Sequence, residues 1–148
     1  MTDPPVVITT ATVADGPAIT MLLTASALPS AGLDAHLAAT VVARVEGTVV
    51  GCAALELHGS DALLRSVVVA ASRRGTGLGR RLTEAALALG GARGVKRYYL
   101  LTETAERFFP RFGFHPIPRA DVPDSVKTSV EFRGACPETA IVMALRGS

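Results

Sequence analysis

Cysteine is scarce: the chain carries Cys52 and Cys136 in 148 residues. Two thiols are too few for a disulfide framework. No apolar run approaches the roughly 18 continuous residues of a membrane-spanning helix. The start, Met1-Thr2-Asp3-Pro4-Pro5, lacks the basic and then apolar pattern of a secretion signal. There are no repeats, no low-complexity tract and no linker. His36, His58 and His115 show no metal-ligand spacing, so no metal is expected. An excess of one charge is missing too. Fifteen Lys and Arg against thirteen Asp and Glu leave a net charge of +2, without the broad basic face of a nucleic-acid binder. These absences lead to the expectation of a cytoplasmic single domain over residues 1–148, with neither nucleic acid nor membrane as partner.

What is present is apolar. Hydrophobic residues make up 49% of the chain, charged ones 19%, and the mean hydropathy is +0.36. That excludes disorder. A chain of this length buries about 68–70% of its unfolded surface without covalent staples.

Periodicity and punctuation suggest the order of elements. Val6 to Thr10 reads as a strand. Asp15 is positioned to cap a helix over Ile19 to Leu23, ending before Pro29. Gly32 to Leu37 reads as a short second helix. Thr40 to Val45, Val49 to Leu57 and Ala62 to Val69 read as an antiparallel meander. Gly77 to Leu89 has helical apolar spacing, with Gly90-Gly91 as its expected stop. Arg97 to Thr102 is a strand, and Thr104 to Phe112 reads as a helix with Pro110 near its end. Phe114 to Ile117 and Thr139 to Leu145 read as strands, around an irregular 118–137 segment with a helical turn near Pro123. The strand–helix–strand unit over 62–102 predicts a right-handed parallel crossover. The class is mixed α/β.

The segment Arg73-Arg74-Gly75-Thr76-Gly77-Leu78-Gly79-Arg80 falls between a strand and an amphipathic helix. Glycines let backbone amides converge, and a helix start adds unpaired amides and a positive dipole end. Together they suit a pyrophosphate, with Arg73, Arg74, Arg80 and Arg81 adding positive charge. The G-x-G-x-x-G fingerprint fails, since the third glycine comes one residue early. The P-loop fails, since no Gly-Lys-Ser/Thr follows. A plain glycine-rich turn is the alternative.

The spacing Arg74-x-x-Gly77-x-Gly79 resembles the acyl-CoA signature of the GCN5-related N-acetyltransferases (GNAT). Ser66-Val67-Val68-Val69 resembles that family's central strand. Ala105 to Phe114, ending in Gly113-Phe114, resembles its second signature. The likeness covers about residues 5 to 145. It implies a mixed twisted sheet of about seven strands flanked by helices, splayed between the fourth and fifth strands. It also implies acetyl-CoA in the splay. The diphosphate would lie on Arg74, Gly75, Thr76, Gly77, Leu78, Gly79 and Arg80, and the pantetheine along Val67, Val68 and Val69.

The implied reaction is direct attack of a neutral amine on the thioester. It needs a base for the ammonium and a donor for the oxyanion, for which an amide near Val67 or Val68 would serve. Many relatives carry a tyrosine four residues before the Gly-Phe, as acid for the leaving thiolate. Phe109 stands there and cannot donate. Thr102 stands where many have a CoA-contacting asparagine. Tyr98 and Tyr99 fit strand packing.

Glu56, ending an apolar strand, and Glu103, following the fifth strand, are the candidate bases; each also fits a solvated charge. Arg65 breaks the apolar run Leu63-Leu64-Arg65-Ser66-Val67. It fits a guanidinium for an acidic acceptor, with Ser66 beside it; an edge or solvent-facing position, or an ion pair with Glu56, is the alternative. Cys136 fits a packed small residue better than a nucleophile.

Val122-Pro123, Ser129-Val130-Glu131-Phe132 and Cys136-Pro137-Glu138-Thr139-Ala140, with Gly32-Leu33-Asp34, resemble the arsenic-resistance-type and short N-acetylglutamate-synthase-like branches. Those branches imply a small amino-acid-like acceptor, glutamate-like or an arsenical or phosphonate amino acid. A protein or peptide acetyltransferase and a non-catalytic acyl-CoA-binding domain are the rival readings. A homodimer is in keeping with the family.

Overall fold

The computed structural model describes residues 4–135 and 139–147. Seven strands form one sheet: β1 (Val6–Thr10), β2 (Thr40–Val45), β3 (Thr48–His58), β4 (Asp61–Val69), β5 (Arg97–Thr102), β6 (His115–Pro116) and β7 (Ile141–Arg146). Their order is β1-β2-β3-β4-β5-β7-β6. β2, β3 and β4 pair antiparallel as the meander predicts, β1 adds antiparallel to β2, and β4 and β5 run parallel. Three helices accompany them: α1 (Gly16–Ala25), α2 (Leu78–Ala92) and the short α3 (Asp124–Lys127). No helix among the described residues is long and apolar enough to cross a membrane.

Both faces of the sheet are covered, which accounts for the apolar composition. Strand residues alternate between the faces. Val41, Ala43, Val45, Ala53, Leu55 and Leu64 pack with Leu78, Leu82 and Ala86 of α2. Val42, Cys52, Ala54 and Val68 pack with Ile19 and Leu23 of α1 and with Leu33 and Leu37. Fully enclosed side chains such as Leu55 and Leu82 each contribute about 1.5–3 kcal/mol of transfer free energy.

Three expected elements differ. The helix of residues 104–112 is a turn followed by a 3-10 segment, Phe109–Phe112. Pro110 has no N–H to give a continuing helix. The strand expected over 114–117 is only His115–Pro116. Helix α2 does not stop at Gly90-Gly91 but runs through both to Ala92. Gly90 is needed inside the helix because Tyr98 crosses it: a Cβ there would lie 2.7 Å from Tyr98 Cε1. The Tyr98 hydroxyl donates to the Leu87 carbonyl at 2.9 Å, so this glycine marks packing rather than termination.

Asp15 precedes α1, but its side chain makes no cap bond to that helix. Its carboxylate instead accepts from Thr12 N–H at 2.7 Å and from both terminal nitrogens of Arg44, at 2.8 and 2.6 Å. The Arg44 hydrogen bonds lower the Asp15 pKa from 3.8 to about 2. A depressed carboxylate stabilises the fold above its unfolded pKa, and that contribution is lost as pH falls through the folded value. Asp15→Asn is therefore expected to lower the melting temperature at neutral pH. The deficit should shrink between pH 3.8 and about 2, as read by thermal unfolding at several pH values.

Candidate active site

Strands β4 and β5 pair only from Asp61–Arg97 to Leu63–Tyr99, and then part. The gap opens beside a bulge. Cys52 faces Val68 and Ala54 faces Arg65, so Ser66 and Val67 together oppose Ala53. Ser66 takes a left-handed conformation, φ 59°, which non-glycine residues seldom adopt. The Cys52 thiol donates to the Ser66 carbonyl at 3.2 Å. Burial raises the Cys52 pKa to about 12, so it stays a protonated structural donor.

A cavity of about 880 Å³ fills the splay. Its walls are the bulged half of β4 and the end of β5 with the following loop, and Ser26 to Pro29 close one side. A second cavity of about 460 Å³ lies over the glycine loop. Val69 and Arg74 line both, so the two are contiguous. Gly75 and Gly77 have φ of 80° and 81°, a conformation glycine adopts without strain. Helix α2 starts from Gly77, whose carbonyl accepts from Arg81 N–H at 3.1 Å. The amides of Leu78, Gly79 and Arg80 thus have no intrahelical acceptor and mark an anion end.

Arg74, Gly75, Gly77, Leu78, Gly79 and Arg80 line the loop cavity, together with Arg73. The Thr76 hydroxyl donates to the Arg73 carbonyl at 2.6 Å and braces the loop. Arg81 is exposed and does not line the loop cavity. Sequence reasoning missed Arg111, which does line it, with its guanidinium 4.7 Å from the Phe108 ring centre. Its position three residues after Phe108 was the available signal. Ser66, Val67, Val68, Val69, Thr102, Glu103 and Phe109 line the larger cavity. The Thr102 hydroxyl accepts from Ala105 N–H at 2.9 Å and turns the chain at the end of β5. Cys136 lies outside the described residues.

Behind the cavity wall is a buried polar cluster centred on Arg65, whose side chain is 0% exposed. Its Nη1 donates to Glu56 Oε2 at 2.8 Å, and its Nη2 to the Pro29 carbonyl at 3.2 Å. Nε lies 3.0 Å from Ser66 Oγ and 3.2 Å from Glu131 Oε2. The ion pair with Glu56 forms, as one reading of Arg65 held, whereas the solvent-facing reading fails because the side chain is enclosed between Glu56, Pro29, Ser66 and Glu131. Glu56 also accepts from Ser129 at 3.0 Å, and His58 and His36 lie 3.4 and 3.7 Å away. Burial raises the Glu56 pKa, but hydrogen bonds from Arg65 and Ser129 and the charges of Arg65 and His36 outweigh it, leaving a net lowering. Burial lowers the His36 pKa. Glu56 does not line the cavity, whereas Arg65 and Glu131 do. Nothing at the sequence level singled out Glu131 as chemical.

The GNAT acetyltransferase domain family matches residues 36–116. An uncharacterised N-acetyltransferase of Chlorobaculum tepidum is 33% identical over 114 residues, 74% of this chain and 73% of its own. N-acetylglutamate synthase from Neisseria gonorrhoeae, solved with coenzyme A and N-acetyl-glutamate, superposes with a TM-score of 0.83 at 19% identity. The match takes in 99% of this chain, which spans only 36% of the synthase chain. The protein Rv2747 of Mycobacterium tuberculosis, solved with CoA, gives a TM-score of 0.78 at 23% identity, covering 95% of this chain and 98% of its own. The bulged splay, the glycine loop and these matches agree: the chain belongs to the GNAT family of acetyltransferases and is an acyltransferase.

Proposed function

We propose that the chain transfers the acetyl group of acetyl-CoA directly to the amino group of a small amino-acid-like acceptor. The observation carrying this reading is a site of two adjoining cavities that share Val69 and Arg74, with an anion end at the glycine loop and a buried polar end at Arg65, Ser66 and Glu131. Acetyl-CoA spans it, with its diphosphate on the loop amides and Arg74, and its pantetheine along Val67, Val68 and Val69. Both named structural neighbours were solved with coenzyme A, which supports the placement.

At the thioester the bulge amides near Val67 and Val68 stabilise the oxyanion as the amine attacks. Phe109 supplies packing and no proton, so the sulphur takes its proton from the amine or from water. Glu103, on the cavity wall, is placed to hold a water or the acceptor. Arg65 has five N–H donors, and its contacts with Glu56, Pro29, Ser66 and Glu131 engage three of them. The remaining two give it capacity for an acidic group on the acceptor, whether a carboxylate as in a glutamate-like substrate or a phosphonate or arsenical. Glu56 holds that guanidinium in place. The synthase's N-acetyl-glutamate supports an acceptor of this class.

The test is release of free thiol from acetyl-CoA with a panel of amino acids, acidic amino-acid analogues and simple amines. Turnover is expected with amines that bear a nearby acidic group. Turnover of peptides alone would favour a protein acetyltransferase. No turnover with any amine, although acetyl-CoA binds, would favour a non-catalytic acyl-CoA-binding domain.

A further inference from the structure

We infer that Glu131 is the catalytic residue that receives the acceptor's amine: its carboxylate binds the ammonium and takes the proton that must leave before the nitrogen attacks. This rests on the cavity being an acetyl-transfer site, and adds the group on which the acceptor nitrogen is seated.

Three observations converge on Glu131. It lines the larger cavity although only 4% of the residue is exposed, so its carboxylate is held in the wall rather than solvated. Its second attribute is proximity to the bulge. One nitrogen, Arg65 Nε, contacts both Ser66 Oγ at 3.0 Å and Glu131 Oε2 at 3.2 Å. Glu131 is thereby fixed next to the strand segment whose amides face the thioester. Glu56, the more obvious carboxylate, is bonded to the other side of the same guanidinium, beside Ser129, His36 and His58, and does not line the cavity.

Charge supports the assignment. Among the described residues the cluster sets two buried carboxylates, Glu56 and Glu131, against one guanidinium. Burial has lowered the pKa of His36, the nearer imidazole to solvent. An ammonium seated on Glu131 adds a second cation beside the two carboxylates, and that pairing offsets its desolvation.

The proton inventory is simple. The ammonium gives one proton to Glu131, leaving a neutral amine. Its lone pair forms the bond to the acetyl carbon, and the carbon–sulphur bond breaks. A second nitrogen proton leaves with the sulphur, so the products are the acetamide and CoA thiol. Glu131 then returns its proton to solvent.

The experiment compares Glu131→Gln and Glu131→Asp with the unaltered chain on one amine that it acetylates. For Glu131→Gln the expected result is a kcat loss of about 100-fold at neutral pH, with acetyl-CoA affinity by calorimetry unchanged. The rate should recover as pH rises and solvent deprotonates the amine. Among the described residues, the groups facing Glu131 in this profile include Arg65, with Glu56, His36, His58 and Ser129 behind it. Glu131→Asp keeps the charge and should stay within about tenfold of the unaltered rate. A Glu131→Gln rate equal to that of the unaltered chain, or a loss equal at every pH, overturns the assignment. So does an aspartate variant that falls more than about tenfold below the unaltered rate, which also decides the matter if Glu131→Gln does not fold. Absence of turnover by the unaltered chain is a different outcome and overturns the transfer reading itself.

Discussion

Arg65→Ala is expected to cost about 3–5 kcal/mol of folding stability at neutral pH, because it strands two buried carboxylates without their cation. The guanidinium is 0% exposed, and the Glu56 and Glu131 side chains are 3% and 5% exposed. Water has little access to replace it. The loss is large against the roughly 5–15 kcal/mol of net stability that a domain possesses. Removing the acid together with the base separates lost charge pairing from lost packing. Arg65→Met with Glu56→Gln should cost less than Arg65→Ala alone, since it keeps more of the side-chain volume and leaves one buried carboxylate, Glu131, uncompensated rather than two. Urea unfolding of the three proteins, read as midpoint shifts at constant slope, checks both statements. A loss below about 1 kcal/mol for Arg65→Ala would mean that the cluster is hydrated.

Arg74→Glu is the second variant with a large expected effect, this time on binding. Arg74 is the charged residue common to both cavities. Its Nη2 donates to Ser26 Oγ at 3.2 Å, which ties the exposed side chain to a residue that lines the larger cavity. A hydrogen bond to a charged group contributes about 1.5–3 kcal/mol, which is about 10- to 150-fold in a dissociation constant. Reversing the charge should place the loss at the upper end of that range. Arg80→Glu is the contrast. Arg80 has a side chain 66% exposed and already pairs with Glu84 at 3.0 Å, so its change should weaken acetyl-CoA less and fade with added salt. Equal losses for the two would dissolve the distinction between a junction residue and a rim residue.

The glycine loop was legible in the sequence because its physics is local. Eight neighbouring residues supply the left-handed turns, the converging amides and the arginines. The meander was legible for a similar reason, since β-branched runs separated by Glu46-Gly47 and Gly59-Ser60 announce tight turns. Most of the missed features depend on partners outside their own segment. Gly90 reads as a helix stop until Tyr98, eight residues on, is seen lying across it. Residues 104–112 carry helical spacing, yet Pro110 and the turn at Thr102 shorten them to a 3-10 segment. The buried cluster joins Glu56 to Ser129 across 73 positions. Glu131 emerges only because the 129–131 segment folds back over Arg65. Neither spacing nor charge pattern encodes that return, so the sequence offered Glu56 and Glu103 as bases and passed over the carboxylate that shares Arg65 with Glu56.

The most direct measurement of the central claim is a calorimetric titration of acetyl-CoA into the protein. The account predicts saturable one-to-one binding, weakened by salt and reduced by Arg74→Glu. No binding at millimolar acetyl-CoA would contradict it.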